Sequence, residues 1–455
     1  MSETERKENT LQDDVLKKSV FSLAIPIFFQ MLLGIALGYV DTIMLSNYSD
    51  TSVGAIGNAN SIIGFLALAF TVISSATGIM VSQYLGAGKR EELNKVYSVA
   101  MSFNLVLSVA ISLCVFFFST PLLNVMQVPQ EMMADADRYM KIVGGTIFTQ
   151  AIINNFSQIY NSNGKTQFGM FVAIGMNIVN IFGNYLLLYG PLQSLGLGAS
   201  GVAVSTSISR ILAVIIGFLY FKRVIKGNLN LKYLVPFPKE ILNSLLRLGI
   251  PTAGENVSYN LSQLVIGAIV NTMGLVAINA RIYAVMLSMF TYMIAFAAAM
   301  ATQIQVGHSV GAGDYNFAYK RVLKTLRFGL IVSISIGILN FLLSPYTFRI
   351  FTNDKNVAAL GTVIMLISVI LELGRTPNII IINSMKAAGD VKFPTILAIF
   401  SMWLLSALMS YILGVVLGMG LAGVWIAMAA DEIFRGIVVF IRWIRGTWKG
   451  KKVVS

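Results

Sequence analysis

Residues 249–263, GIPTAGENVSYNLSQ, place a carboxylate, Glu255, inside an apolar segment long enough to cross a membrane. Pro251 and Gly254 weaken the helical hydrogen-bond ladder beside it and free backbone carbonyls. An ionisable side chain at this depth indicates a functional site, because charge is costly to place in hydrocarbon. The stretch therefore predicts a membrane helix that carries a charge and a polar face.

The same stretch belongs to an internal repeat. Ile250-Pro251 repeats Ile25-Pro26 at an offset of 225 residues, and at this offset the Gly-Ala-Gly turn at 311 repeats the one at 86. Six spans per repeat is an even number, so both halves face the same way. We therefore predict an all-α membrane protein, with twelve transmembrane helices in two six-helix bundles related by a pseudo-two-fold axis along the membrane normal.

The composition supports a polytopic membrane protein and argues against an enzyme. Of 455 residues, 56% are hydrophobic and 12% are charged, whereas soluble proteins have about 25% charged residues. The net charge of +13 comes from basic residues at span ends, which indicates contact with lipid headgroups and no nucleic-acid partner. The single cysteine, Cys114, and the single histidine, His308, exclude a disulfide and a His/Cys metal site. No nucleophile and base occur together.

Twelve apolar stretches are each long enough to span a bilayer, which takes about 20 residues. They are 19–46, 53–85, 96–122, 138–161, 167–190, 198–222, 246–272, 278–307, 317–346, 357–384, 393–416 and 420–445. Lysine and arginine concentrate in alternate loops and in both tails, so we expect both termini in the cytoplasm and a multi-pass protein of the inner or plasma membrane. The predicted parts are a tail at 1–18, a bundle at 19–222, a basic linker at 223–245, a bundle at 246–445 and a tail at 446–455.

Further charges fall inside the spans. Asp41 suggests a proton or cation site, or a counter-charge for a substrate; the alternative is an interfacial cap near the end of its span. Glu372 and Arg375 stand one helical turn apart, so we expect an ion pair that is either structural or a gate. Asp431 and Arg435, spaced i, i+4 beside Glu432, favour a structural pair.

Polar and soft side chains at helical spacing predict a substrate cleft, with interhelical packing as the alternative. Gln30 occupies the repeat position of Glu255, so only the second half carries charge there. The predicted cleft residues are Gln30, Asn154, Asn177, Asn180, Asn184, Tyr259, Gln263, Tyr283, Met286 and Met289.

The chain resembles the multidrug and toxic compound extrusion family, in particular its NorM-like branch. The resemblance rests on the asparagine-rich fifth span and on four motifs in order: VDTIMLSNYSD from Val40, VSQYLGAGK from Val81, GIPTAGE from Gly249 and AAGD from Ala387. It implies a secondary antiporter that exports drugs, often cationic and amphipathic, in exchange for Na⁺ or H⁺. It also implies a V-shaped pair of bundles around a cleft that alternates in access. We expect such a chain to act as a monomer, with no cofactor beyond the coupling ion.

The resemblance also assigns roles to individual residues. Asp41 and Glu255 match positions that the family uses for cation coupling, and Glu372 is a third candidate for that role. Glu255 is also a candidate Na⁺ ligand, and Arg375 is a candidate gate. Two positions depart from the family pattern: Asn184 stands where some relatives have an aspartate, and Glu372 is displaced from the expected acid near residue 377. A flippase, or an exporter of one lipid-linked or metabolite substrate, is the alternative function.

Overall fold

The computed structural model describes residues 15–454, and the predicted N-terminal tail at 1–18 lies mostly outside them. Ser455, at the end of the predicted C-terminal tail, also lies outside. Within the described part of the chain every regular element is a helix and there is no strand. The predicted all-α fold is confirmed.

The helices follow the predicted spans. They are α1 Val20–Ser46, α2 Asp50–Ala67, α3 Phe70–Gly86, α4 Arg90–Phe117, α5 Ser119–Val125, α6 Gln130–Tyr139, α7 Phe148–Ser162, α8 Thr166–Leu188, α9 Ser200–Ile225, α10 Lys239–Asn271, α11 Leu275–Gly311, α12 Tyr315–Phe351, α13 Lys355–Ala387, α14 Lys392–Val416 and α15 Gly420–Ile444. The second span is the pair α2 and α3, bent by 45°. The fourth span, 138–161, covers the end of α6, a π-helical turn at Met140–Gly144 and most of α7. Helices therefore cover all twelve predicted spans.

Length and apolarity separate these helices into two groups. Among residues 15–454, eight helices, or nine with the bent pair, are long and apolar enough to cross a membrane. Helices α10 and α15 fall outside this group although both match predicted spans. Their polar and charged side chains, such as Glu255 in α10 and Asp431 in α15, lower the hydropathy. Both helices carry candidate site residues, as do α1, α8 and α13, which are long and apolar enough to cross a membrane.

Contacts along the chain define two compact units. The first unit contains residues 29–85 and 89–250, and the second contains residues 15–28, 86–88 and 251–454. Helix α1 passes from the second unit to the first just after Pro26, and α10 passes from the first to the second at Pro251. Proline removes one helical hydrogen bond and permits a kink, which explains why both changes fall at the repeated Ile-Pro pair. The predicted bundle and linker bounds stay predictions.

Glycines bring α13 and α15 into close contact inside the second unit. A Cβ on Gly374 would lie 2.3 Å from the backbone nitrogen of Ile433, and one on Gly436 would lie 2.9 Å from the carbonyl oxygen of Gly374. Small residues allow such close packing of membrane helices. This contact places the charged side chains of α13 next to those of α15.

Candidate functional site

Glu255 lies in the second unit, four residues after Pro251, where it forms a buried ion pair. The Nζ atom of Lys386, in the last turn of α13, is 2.9 Å from its Oε2 atom, and the two side chains are 7% and 14% exposed respectively. The hydroxyl of Thr395, on α14, donates to the same carboxylate at 3.2 Å. Three helices therefore hold the carboxylate that the sequence singled out.

Lys386 and Thr395 were not predicted as partners of Glu255. The sequence assigned Lys386 to a cytoplasmic loop, because the predicted tenth span ended at 384. Helix α13 instead continues to Ala387, and its last turn faces inward. A lysine four residues after an isoleucine run and shortly before a Gly-Asp turn was the available signal.

Glu372 and Arg375 form the predicted ion pair on α13. The Nη1 atom of Arg375 lies 2.7 Å from Oε1 of Glu372. The other carboxylate oxygen, Oε2, is buried without a hydrogen-bond partner, as are the side-chain oxygens of Thr376 and Asn378 nearby on α13. These atoms are acceptors of the kind that a hard cation prefers.

Arg435 on α15 binds two carboxylates at once. Its Nη2 atom lies 2.8 Å from Oδ2 of Asp431 and 3.0 Å from Oε1 of Glu432. The predicted pair between Asp431 and Arg435 is thus present, and Glu432 also accepts a hydrogen bond of 2.6 Å from Asn378 on α13.

We call Glu372, Arg375, Asp431, Glu432 and Arg435 the charge cluster. It holds three carboxyl groups and two guanidinium groups. The Glu255–Lys386 pair belongs to the same unit as the charge cluster. Within residues 15–454, no group of three or more His, Cys, Asp and Glu side chains is arranged to hold a metal ion. The proposed Na⁺ contact of Glu255 stays a prediction.

In the first unit, Asp41 ends a chain of buried amides. Asn184 donates to Oδ1 of Asp41 at 2.6 Å and to Oδ1 of Asn180 at 3.3 Å, and Asn180 donates to Thr206 on α9 at 3.1 Å. Asn177, on the same face of α8, donates to the carbonyl of Leu33 in α1 at 3.1 Å. The predicted asparagine stripe therefore joins α8 to α1 and α9.

Arg210 on α9 was missed by the sequence analysis. It lies one turn beyond Thr206, and its Nε and Nη1 atoms are buried without a hydrogen-bond partner. It brings a positive charge into the unit that also holds Asp41. A lone arginine within an apolar span was the signal that could have identified it.

Gln30 borders a cavity of about 50 Å³ inside the first unit, with Phe156, Tyr160 and Met176 among its lining residues. Its amide nitrogen donates to the hydroxyl of Ser157 at 2.6 Å. Neutral Gln30 thus binds a neutral partner at the repeat position where Glu255 binds a lysine. Most of the wall is apolar, and the cavity is small.

The other predicted cleft residues take no part in the hydrogen bonds and ion pairs given above. Asn154 accepts a hydrogen bond from Gln150 of its own helix at 2.8 Å, and the ring of Tyr283 stacks on Phe351 at 5.2 Å. Gln263 is half-buried, and its carbonyl accepts from Arg281 at 3.3 Å. Tyr259, Met286 and Met289 are exposed. Their assignment to a substrate cleft stays a prediction.

Comparison with known proteins gives consistent results. A family profile named MatE matches residues 26–186 and 251–412, and the two matches begin at the same 225-residue offset as the Ile-Pro pairs. The chain is 39% identical over 448 residues to the uncharacterized transporter YisQ of Bacillus subtilis (strain 168), covering 97% of this chain and 98% of the relative. It is 26% identical over 454 residues to a probable multidrug resistance protein NorM of Thermotoga maritima, covering 97% and 95%.

One solved structure has the same fold. The crystal structure described as MATE in the bent conformation superimposes with a TM-score of 0.88, covering 97% of each chain at 19% identity. The match extends over both units and nearly the whole chain.

Proposed function

The chain belongs to the MatE family, the multidrug and toxic compound extrusion transporters, and we propose that it exports amphipathic, often cationic compounds in exchange for Na⁺ or H⁺. It is a multi-pass membrane transporter. Drug export is supported by the names of its relatives, among them the NorM protein of Thermotoga maritima. We further propose that it acts as a monomer in the inner or plasma membrane, with both termini in the cytoplasm.

One observation carries this proposal: the carboxylate of Glu255 is 14% exposed, and the ammonium of Lys386 lies 2.9 Å from it. Glu255 lies on α10, which matches a predicted span. A largely buried carboxylate that holds an ammonium group has the charge and geometry to select other monovalent cations. In our proposal, a coupling ion and a cationic substrate bind to Glu255 with different affinities in two states of the transporter. Coupling then follows from differential affinity and requires no covalent step.

Asp41 and the charge cluster have secondary roles in this scheme. In this scheme a proton or cation binds to Asp41 in the first unit, and the amides of Asn184 and Asn180 position the Asp41 carboxylate by hydrogen bonds. Glu372 offers a free carboxylate oxygen in the second unit, and Arg375 could release that carboxylate as a gate. The mechanism we favour is alternating access, in which each ligand stabilises one of two states.

Reconstituted protein tests the proposal. Proteoliposomes loaded with tetraphenylphosphonium, a lipophilic monocation, are given a Na⁺ gradient and a pH gradient separately. We expect one gradient to drive transport of the wild-type protein, and Glu255→Gln to reduce it to the level of empty liposomes. Glu92→Gln removes the same charge at an exposed position, 3.8 Å from Lys89, and should transport normally. Wild-type transport by folded Glu255→Gln would contradict the proposal.

A further inference from the structure

We propose that Lys386 is a built-in counter-cation for Glu255, and that a coupling ion or a monovalent cationic substrate binds by displacing its ammonium group. This inference rests on the proposed role of Glu255. The Glu255–Lys386 pair would then determine ligand specificity, because only ligands that compete with an alkylammonium group for one carboxylate would bind.

The contacts of Lys386 support displacement of a tethered cation. Its ammonium reaches the carboxylate from the last turn of α13, while Glu255 belongs to α10, so the pair forms between two helices and can open without breaking either one. A four-carbon stem gives the ammonium several rotamers. The carbonyl groups at the end of α13 also favour a positive charge there. The end of α13 therefore stabilises a positive charge on Lys386 whether or not the ammonium contacts Glu255.

The nearby carboxylate of Asp390 does not compete for Lys386 in this arrangement. Asp390 follows α13 by three residues and is buried, but Arg442 binds one of its oxygens at 2.8 Å and Lys451 binds the other at 2.7 Å. Because Asp390 already forms ion pairs with two basic side chains, Glu255 is the carboxylate that remains available to Lys386. The pairing is thus selected by the surrounding charges as well as by distance.

The charge of the pair itself indicates the valence of the ligand. Glu255 carries one negative charge, which the ammonium of Lys386 neutralises at 2.9 Å. A monovalent cation that takes the place of the ammonium leaves the carboxylate neutralised. A divalent cation would leave excess positive charge in a region of low dielectric, which is costly. The site therefore fits one monovalent cation at a time, inorganic or organic.

The first test removes the tethered cation and measures affinity. Binding of tetraphenylphosphonium to detergent-solubilised Lys386→Met should tighten about tenfold or more relative to wild type, equivalent to about 1.4 kcal/mol per tenfold. Lys386→Arg retains the charge and should bind within about twofold of wild type. Lys141→Met removes the lysine of a more exposed pair with Asp137 and should leave affinity unchanged. Unchanged or weaker binding by folded Lys386→Met would overturn the inference.

A second test uses the wild-type protein, so it does not depend on the folding of any variant. A membrane-permeant amine-acylating reagent is applied with and without saturating tetraphenylphosphonium, and acylation of each lysine is measured by mass spectrometry. We expect modification of Lys386 to rise severalfold with the ligand while that of Lys141 stays constant. Equal modification of Lys386 in both conditions would show that the ammonium is not displaced.

The two proposals fail in different ways. If Glu255→Gln transports like wild type, the proposed coupling role of Glu255 is wrong and the Lys386 inference falls with it. If Glu255→Gln is inactive, but Lys386→Met binds no more tightly and acylation does not respond, only the displacement inference is wrong. In that case Lys386 is a permanent structural partner of Glu255.

Discussion

Replacing Arg435 by methionine should strongly destabilise the second unit. The guanidinium group is 5% exposed and makes contacts of 2.8 and 3.0 Å with Asp431 and Glu432, plus a hydrogen bond of 3.1 Å from Nε to Oδ1 of Asp431. Methionine keeps much of the side-chain volume but removes the charge. The charge cluster would then hold three carboxylates against one guanidinium group, that of Arg375.

The expected loss in the free energy of unfolding is about 3–5 kcal/mol, the cost of removing one partner from a buried ion pair. Neutralising the carboxylates together with the arginine, in Asp431→Asn, Glu432→Gln, Arg435→Met, should recover a large part of this loss because no unpaired charge remains. Lys141→Met is the matched control. The side chains of its pair with Asp137 are 43% and 19% exposed, so the loss should not exceed about 1 kcal/mol.

Unfolding in mixed micelles, followed by tryptophan fluorescence, measures these differences. Trp425 and Trp443 are buried on α15, the helix that carries Arg435, and so report on its packing. A loss below about 1 kcal/mol for Arg435→Met, or a triple variant no more stable than the single one, would contradict the argument from buried charge.

Two further predictions concern packing and pH. Gly374→Ala should destabilise the protein by about 1–3 kcal/mol or more, because the new Cβ would lie 2.3 Å from the backbone of Ile433. Gly34→Ala is the control and should be tolerated, since no atom lies within 4 Å of its new Cβ. Thermal unfolding of the two variants measures the difference. Burial raises the pKa of Asp137, but hydrogen bonds from Lys141, Ser119 and Thr120 outweigh the effect of burial. The pKa of Asp137 therefore lies below its ordinary value of 3.8. Ionised Asp137 therefore stabilises the folded protein above about pH 4, and this stabilisation is lost as the pH falls through the folded pKa. Acid unfolding of the wild-type protein should show this loss, up to about 1 kcal/mol. Asp137→Asn should not show it.

The predictions that succeeded depend on local geometry. Helical spacing alone places Glu372 beside Arg375 and Asp431 beside Arg435, and both pairs are present. The apolar stretches predict where the long helices lie, and the Ile-Pro offset gives the repeat that the family profile also matches. These features need only the regular rise and turn of a helix and the thickness of a bilayer.

Tertiary structure decided which distant residues meet. Glu255 and Lys386, or Asp41 and Asn184, lie more than 100 positions apart in the chain, and no periodicity relates them. Helix packing brings them together, with glycines such as Gly374 setting how closely two backbones approach. The sequence by itself determined that a carboxylate lies within a membrane helix; only the packing of α10, α13 and α14 supplied its partners, because side-chain contacts between helices depend on relative rotation and depth that sequence spacing does not encode.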